Sequence, residues 1–145
     1  MIVGIASDHH GVETKKELMK FLNELGYTVL DYGTKDSTPV DYPDFAFKVG
    51  EAVASKRLDF GVLICNTGIG MSIACNKVHN VRCAHVSNVY EAEMTRLDND
   101  SNVIAISAKI DIEQMKNIVN KFLSTEYKYV ERHQRRIDKI NNYGS

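Results

Sequence analysis

Five strand-like runs, Ile2–Ala6, Tyr27–Asp31, Gly61–Ile64, Val81–Val86 and Asn102–Ile106, alternate along this chain with stretches whose apolar residues recur at helical spacing. That alternation admits few folds. Successive strand–helix units joined by right-handed crossovers build an open parallel sheet with helices on both faces. Gly61-Val62-Leu63-Ile64 is apolar at every position, as a strand covered on both sides should be. Leu18, Phe21, Leu22 and Leu25 mark the first helix, and Gly26 is placed to stop it. Asp41-Tyr42-Pro43 opens a second, which buries Phe45, Ala46, Val49, Ala52 and Val53. A third runs from about Met71 to Val78, and Ser87 caps a fourth carrying Val89, Ala92 and Met94. Asp111-x-x-Gln114 resembles a capping box for a fifth, and a last helix from about Tyr129 to Asn142 closes the chain.

The 145 residues are one ordinary domain in length, and 43% hydrophobic with 26% charged content excludes a disordered chain. Eighteen basic and 19 acidic residues leave a net charge of −1, so bulk binding to nucleic acid or a membrane surface is not expected. No apolar run approaches the roughly 18 residues of a membrane span. The start, MIVGIASDHHG, lacks the basic and long apolar segments of a signal peptide. Cys65, Cys75 and Cys83 include no C-x-x-C pair, and the five histidines form no H-E-x-x-H. Neither a disulfide framework nor a thiolate zinc site is expected, and the compartment is expected to be the reducing cytoplasm.

In open parallel sheets ligands bind beyond the carboxyl ends of the strands. That rule selects four loops: Ser7–Gly11, Cys65–Gly70, Val86–Asn88 and Ser107–Lys109. Cys65-Asn66-Thr67-Gly68-Ile69-Gly70 is the most informative. Its glycines permit close backbone approach, its free N–H groups suit an anion, and Thr67 adds a hydroxyl donor. It matches neither a dinucleotide fingerprint nor a Walker loop. A thiol at this place faces the positive end of the next helix, which favours the thiolate; a cysteine at a strand end also serves simply as packing. Cys75 and Cys83 read as packing residues.

Asp8-His9 falls on the same edge, where an acid beside an imidazole can bind ligand hydroxyls or move a proton. Alternatively Asp8 caps the first helix and His9 is exposed; His10 reads as a surface neighbour. Asp98-Asn99-Asp100 ends the fourth helix and by itself reads as a turn. Residues 128–139 carry five basic side chains against Glu131 and Asp138, with Arg132 and Arg136 on one helical face. Two forked guanidiniums on one face suit a single phosphate, or else mark a solvated basic helix end.

Together, S-D-H-x-G near the start, D-Y-P at 41–43, I-C-N-T-G-I-G-M-S-I-A-x-N-K at 64–77, N-D-x-N at 99–102 and R-H-Q-x-R at 132–136 resemble the type-B ribose-5-phosphate isomerases. Galactose-6-phosphate isomerase subunits belong to the same superfamily. The resemblance spans essentially the whole chain and implies one sugar-phosphate isomerase domain over residues 1–145. It implies a Rossmann-like three-layer α/β/α sandwich with a five-stranded parallel sheet and an extra C-terminal helix. It also implies no metal or organic cofactor, and a homodimer or tetramer with the active site at the dimer interface. Cys65 then matches the base that shuttles a proton between C1 and C2, and Asn66, Thr67, Gly68, Ile69 and Gly70 the loop that stabilises the enediolate. Asp8 and His9 match residues that bind sugar hydroxyls. Asn99, Arg132, His133 and Arg136 match positions that hold sugar and phosphate, some reaching in from the partner subunit.

Two positions depart from the family pattern. Asp98 stands where a histidine usually opens the furanose ring, and an ordinary carboxyl is ionised at neutral pH and a poor donor. Lys109 stands where an arginine usually contacts phosphate, keeping the charge and losing the fork. The first departure leaves room for a tetrose 4-phosphate, whose esterified O4 cannot close a furanose; a hexose 6-phosphate is a separate alternative substrate. The first departure also leaves room for a non-catalytic sugar-phosphate-binding protein. A phosphorelay receiver fits Asp8 and Lys109 but wants an aspartate where the third strand ends in Cys65. A cysteine phosphatase wants a C-x₅-R loop that is absent.

Overall fold

The computed structural model describes residues 1–144. Its strands are β1 (Ile2–Ser7), β2 (Thr28–Asp31), β3 (Phe60–Cys65), β4 (Cys83–His85) and β5 (Val103–Ser107). Its helices are α1 (Val12–Glu24), α2 (Tyr42–Ala54), α3 (Ile69–Cys75), α4 (Val89–Asn99), α5 (Ile112–Ser124) and α6 (Glu131–Asn142). The strands form one sheet in the order β2-β1-β3-β5-β4, and every pairing is parallel. The three-layer sandwich expected from the alternation is therefore present. No described helix is long and apolar enough to cross a membrane.

The sheet's side chains alternate between two apolar layers. Val3, Ile5, Val62, Ile64, Ile104 and Ile106 pack with Leu18 and Leu22 of α1, Ala92 of α4 and Met115, Ile118 and Phe122 of α5. Ala6, Leu63, Val103 and Ala105 pack with Ala46, Val49 and Val53 of α2 and Met71 and Cys75 of α3. The chain leaves β1 into α1 on the first of these faces and leaves β3 into α3 on the second, the divergence that in open parallel sheets marks a ligand crevice at the carboxyl ends of the strands.

Capping chemistry corrects two of the sequence expectations. Asn88, not Ser87, caps α4 by accepting the Glu91 N–H at 2.8 Å, while Ser87 donates its hydroxyl to the Glu91 carboxylate at 2.9 Å. Asp8 does not cap α1, whose N-cap is Gly11. Asp111 caps α5 as expected, accepting from the N–H groups of Glu113 and Gln114. The fourth strand is only Cys83–His85, shorter than the apolar run, because the Arg82 and Cys83 N–H groups bond the side chains of Asn102 and Asn76.

Lys15 is 1% exposed in α1, and its ammonium donates to Asp31 Oδ1 at 2.7 Å and to the Thr34 carbonyl at 2.5 Å. This clamp ties α1 to the end of β2 and the loop behind it. A buried ammonium stripped of its carboxylate is costlier than the loss of both partners' charges. Asp31→Ala should therefore lower stability by about 2–3 kcal/mol. Lys15→Met should cost only about 1 kcal/mol, since Asp31 faces water and keeps the Gly33 N–H. Denaturant midpoints of the two variants check the ordering.

Candidate active site

The residues at the carboxyl ends of β1, β3 and β5 share one edge. Register places Ser7 opposite Ile64 and Cys65 opposite Ser107, so Asp8, Cys65 and the 107–109 turn stand side by side. The Asp8 N–H bonds the Ile64 carbonyl at 3.0 Å and the Ala108 N–H bonds the Cys65 carbonyl at 2.8 Å. These bonds carry the sheet's order one residue beyond its strands.

Cys65 is buried at 4% exposure, and its Sγ accepts the Gly68 N–H at 3.1 Å. Gly68 makes that approach with φ +81°; a Cβ there would lie 2.8 Å from the Ile106 carbonyl carbon. Its neighbour Gly70 packs against Tyr42, where a Cβ would lie within 2.6 Å of the ring. The loop is held at three points. Ser107 Oγ donates to the Asn66 carbonyl at 2.7 Å, His85 Nε2 lies 2.9 Å from the Thr67 carbonyl, and Thr67 Oγ1 accepts the Ile69 N–H at 3.2 Å. Helix α3 therefore begins at Ile69, two residues earlier than the apolar pattern suggests, and its first turn stands closer to the thiol.

Asp8 is 5% exposed and accepts the His10 N–H at 2.9 Å, with His10 Nδ1 3.1 Å from its other oxygen. His10 is exposed, as expected of a surface neighbour, and its contact here is with Asp8. His9 Nδ1 accepts the Val40 N–H at 3.3 Å, which brings the 33–40 loop to the cleft. Asp8, His9 and His10 also present donor atoms within 4.8 Å of one another, a group able to hold a metal ion. Lys109 is exposed on the adjoining turn.

The remaining candidates lie elsewhere in the chain. Asp98 and Asn99 end α4, next to the start of β5, so the length of β5 separates them from Cys65. Asp98 Oδ1 lies 3.6 Å from His133 Nε2 on α6, while His133 Nδ1 is buried without a partner. Arg132 and Arg136 are exposed and form no hydrogen bond or ion pair among the described residues, whereas Arg135 pairs with Glu131 at 2.9 Å. Arg82 and Arg96 instead clasp the turn at 99–101, with Arg96 bonding Asp100 at 2.7 Å. Burial pulls the Arg82 guanidinium below its ordinary pKa, against the opposing pull of Asp100. One chain thus carries two clusters, thiol and loop at one end and Asp98, Asn99, Arg132, His133 and Arg136 at the other.

Ser107 lies in one of the selected loops and Tyr42 in the D-Y-P motif, but neither they nor His85 and Val40 were expected to hold the site together. Ser107 and His85 carried a signal, since each ends a strand at the selected edge; the approach of Val40 depends on how a long loop folds. Cys75 and Cys83 are off this edge. The Cys75 thiol, aided by burial, pushes Cys83 well above the ordinary thiol range.

The family described as Ribose/Galactose Isomerase matches residues 3–140. Ribose-5-phosphate isomerase B of Escherichia coli is 40% identical over 139 residues, covering 95% of this chain and 93% of the relative. The structure of Clostridium thermocellum ribose-5-phosphate isomerase B matches with a TM-score of 0.94 and 44% identity, over 97% of this chain and 95% of that one. That of the Mycoplasma genitalium enzyme with bound ribulose-5-phosphate matches with a TM-score of 0.93 and 38% identity, over 98% of this chain and 95% of the other. The thiol-bearing loop, the parallel sheet that presents it and these likenesses together place the chain in the ribose/galactose isomerase family, as a sugar-phosphate isomerase.

Proposed function

We propose that the protein interconverts ribose 5-phosphate and ribulose 5-phosphate through an enediolate, with Cys65 as the base and residues 1–145 acting as one isomerase domain. The observation that carries this reading is the Gly68 N–H aimed at Cys65 Sγ from 3.1 Å, in a glycine-containing loop at the carboxyl end of β3. As thiolate, Cys65 takes the proton from C2 of the open-chain aldose. The C–H pair becomes the C1–C2 double bond while the carbonyl pair moves onto O1; the O2 proton passes to O1, and the thiol then returns its proton to C1 as the C2=O2 carbonyl forms. The 66–70 loop, with Thr67, lies where negative charge develops on O1 and O2. Asp8 and His9 hold sugar hydroxyls, and Lys109 faces the phosphate.

Arg132 and Arg136 bind the phosphate from a partner subunit, because unpaired guanidiniums this far from their own Cys65 need a second chain to reach a sugar. A homodimer or tetramer, with neither nucleic acid nor membrane as partner, follows from this reading. Asn99 enters with them. Asp98 and His133 come in as a pair, so an imidazole stands beside the carboxylate as a proton source for ring opening. The likeness to a relative holding ribulose-5-phosphate supports a pentose phosphate. Asp98 itself favours a second reading, an open-chain tetrose 4-phosphate that needs no ring opening. Three free thiols suit the reducing cytoplasm.

Turnover of ribose 5-phosphate, erythrose 4-phosphate and a hexose 6-phosphate tests the reading directly. Ribose 5-phosphate should be the best substrate, and Cys65→Ala should lower kcat by about 10²-fold or more. Isomerisation of the tetrose alone would establish the second reading. Phosphosugar binding without exchange of the C2 proton into solvent would mark a binding protein. Thiol chemistry offers an independent check. Iodoacetamide at pH 7.5 should modify Cys65, more slowly when ribose 5-phosphate is present, and should spare Cys83 until the protein is unfolded, because the raised Cys83 thiol stays protonated.

A further inference from the structure

The Asp8 carboxylate is nearly buried, yet no lysine or arginine pairs with it among the described residues. Among the described residues its charge is met by the His10 backbone N–H at 2.9 Å and by the His10 ring, whose Nδ1 stands 3.1 Å from Oδ2. A buried carboxylate without a fixed cation is a place where a cation is favoured. His9 completes the group, its ring centroid 4.2 Å from that of His10. One donor atom from each of the three residues lies within 4.8 Å of the other two.

We infer that Asp8, His9 and His10 form a site for a borderline transition-metal ion such as Zn²⁺, and that its occupation inhibits the enzyme. Two donors of a tetrahedral zinc, each about 2.0–2.2 Å from the ion, are a little over 3 Å apart. The Asp8–His10 separation of 3.1 Å already meets that spacing. The ion takes the place of the proton between Oδ2 and Nδ1, which leaves to solvent. His10 is exposed and His9 half-buried, so both rings can turn to close the remaining distance. His9 turns against one long contact, the 3.3 Å bond from the Val40 N–H.

Two imidazoles and one carboxylate select zinc, nickel or cobalt over magnesium and calcium, which favour all-oxygen shells. Three protein donors leave a fourth position for water. Inhibition follows because the ion consumes Asp8 and His9, the groups assigned above to the sugar hydroxyls. This half of the inference rests on the proposed reaction; the binding half does not.

Calorimetric titration of Zn²⁺ into the full chain, and of Co²⁺ followed by its visible absorption, tests the site with the metal alone. One ion per chain should bind. His10→Asn and Asp8→Asn should each weaken binding at least tenfold, and Cys65→Ala should leave it unchanged. In turnover of ribose 5-phosphate, Zn²⁺ should inhibit the wild type and EDTA should restore it. His10→Asn should retain turnover and lose at least tenfold in Zn²⁺ sensitivity, since the backbone bond from residue 10 still holds Asp8. Absence of stoichiometric binding, undiminished binding by His10→Asn, or loss of binding in Cys65→Ala would overturn the site. Binding without inhibition would overturn the inhibitory role. Should no variant turn over ribose 5-phosphate, the proposed substrate fails while the titrations still decide the site.

Discussion

The loop after β3 reaches the sheet edge only because residue 68 has no side chain. A Cβ there would press on the Ile106 carbonyl carbon at 2.8 Å and the His85 ring at 3.0 Å, with the backbone at φ +81°. With glycine, the loop folds flat across the ends of β3 and β5 and turns its N–H toward Cys65 Sγ. The bonds from Ser107 to Asn66 and between His85 and Thr67 then fix the loop to two further strands. A donor array for a developing oxyanion works only if it is rigid before the charge appears, because reorganising dipoles during the reaction costs the energy they would supply. For the reaction proposed, the tight seat of Gly68 supplies that rigidity.

Much of this was legible in the residues. The apolar run 61–64, set in the strand–helix alternation, reads as a central strand, and it places Cys65 at the edge where open parallel sheets bind ligands without reference to any relative. The alternation of elements likewise implied the three layers. Local chemistry was harder to read where two neighbours compete for one role: Ser87 and Asn88 both suit a cap, and the reach of the Asn88 side chain to the Glu91 N–H decides between them. Position 8 shows the same competition, where Asp8 turns to His10 and leaves Gly11 to start α1. Lys15 was illegible for a different reason. In the sequence it lies among the charged residues of a surface helix, and only the return of β2 and its loop supplies the buried acceptors.

Asp98, Asn99, Arg132, His133 and Arg136 show what a linear reading cannot supply. Parallel strands of one sheet put successive helix ends alternately near and far from the ligand edge. The end of α4 must lie near the start of β5, which is the edge opposite Cys65. No adjustment of side chains spans a strand's length. Residues that the proposed reaction joins in one site are therefore separated by the fold itself, and that proposal needs a second copy of the chain to bring them together.

The division of labour among the arginines bears on how a chain of net charge −1 can attract a phosphate dianion. Arg82 and Arg96 spend their donors on the carbonyls and carboxylate of the 99–101 turn, and Arg96 also lies 4.8 Å from the centre of the Phe60 ring. Arg135 is matched by Glu131 one turn earlier. What remains uncompensated on α6 is Lys139 together with the i, i+4 pair Arg132 and Arg136, all at the surface with their donors unbound by the described residues. Screening confines the field of such a pair to about one Debye length, near 8 Å at physiological salt. Overall charge is then irrelevant to binding, and the local pairing of each cation decides where an anion settles. By that criterion α6 is a basic helix with three free cations, two of them forked guanidiniums on one face, a pattern suited to one phosphate and too small for a polyanion.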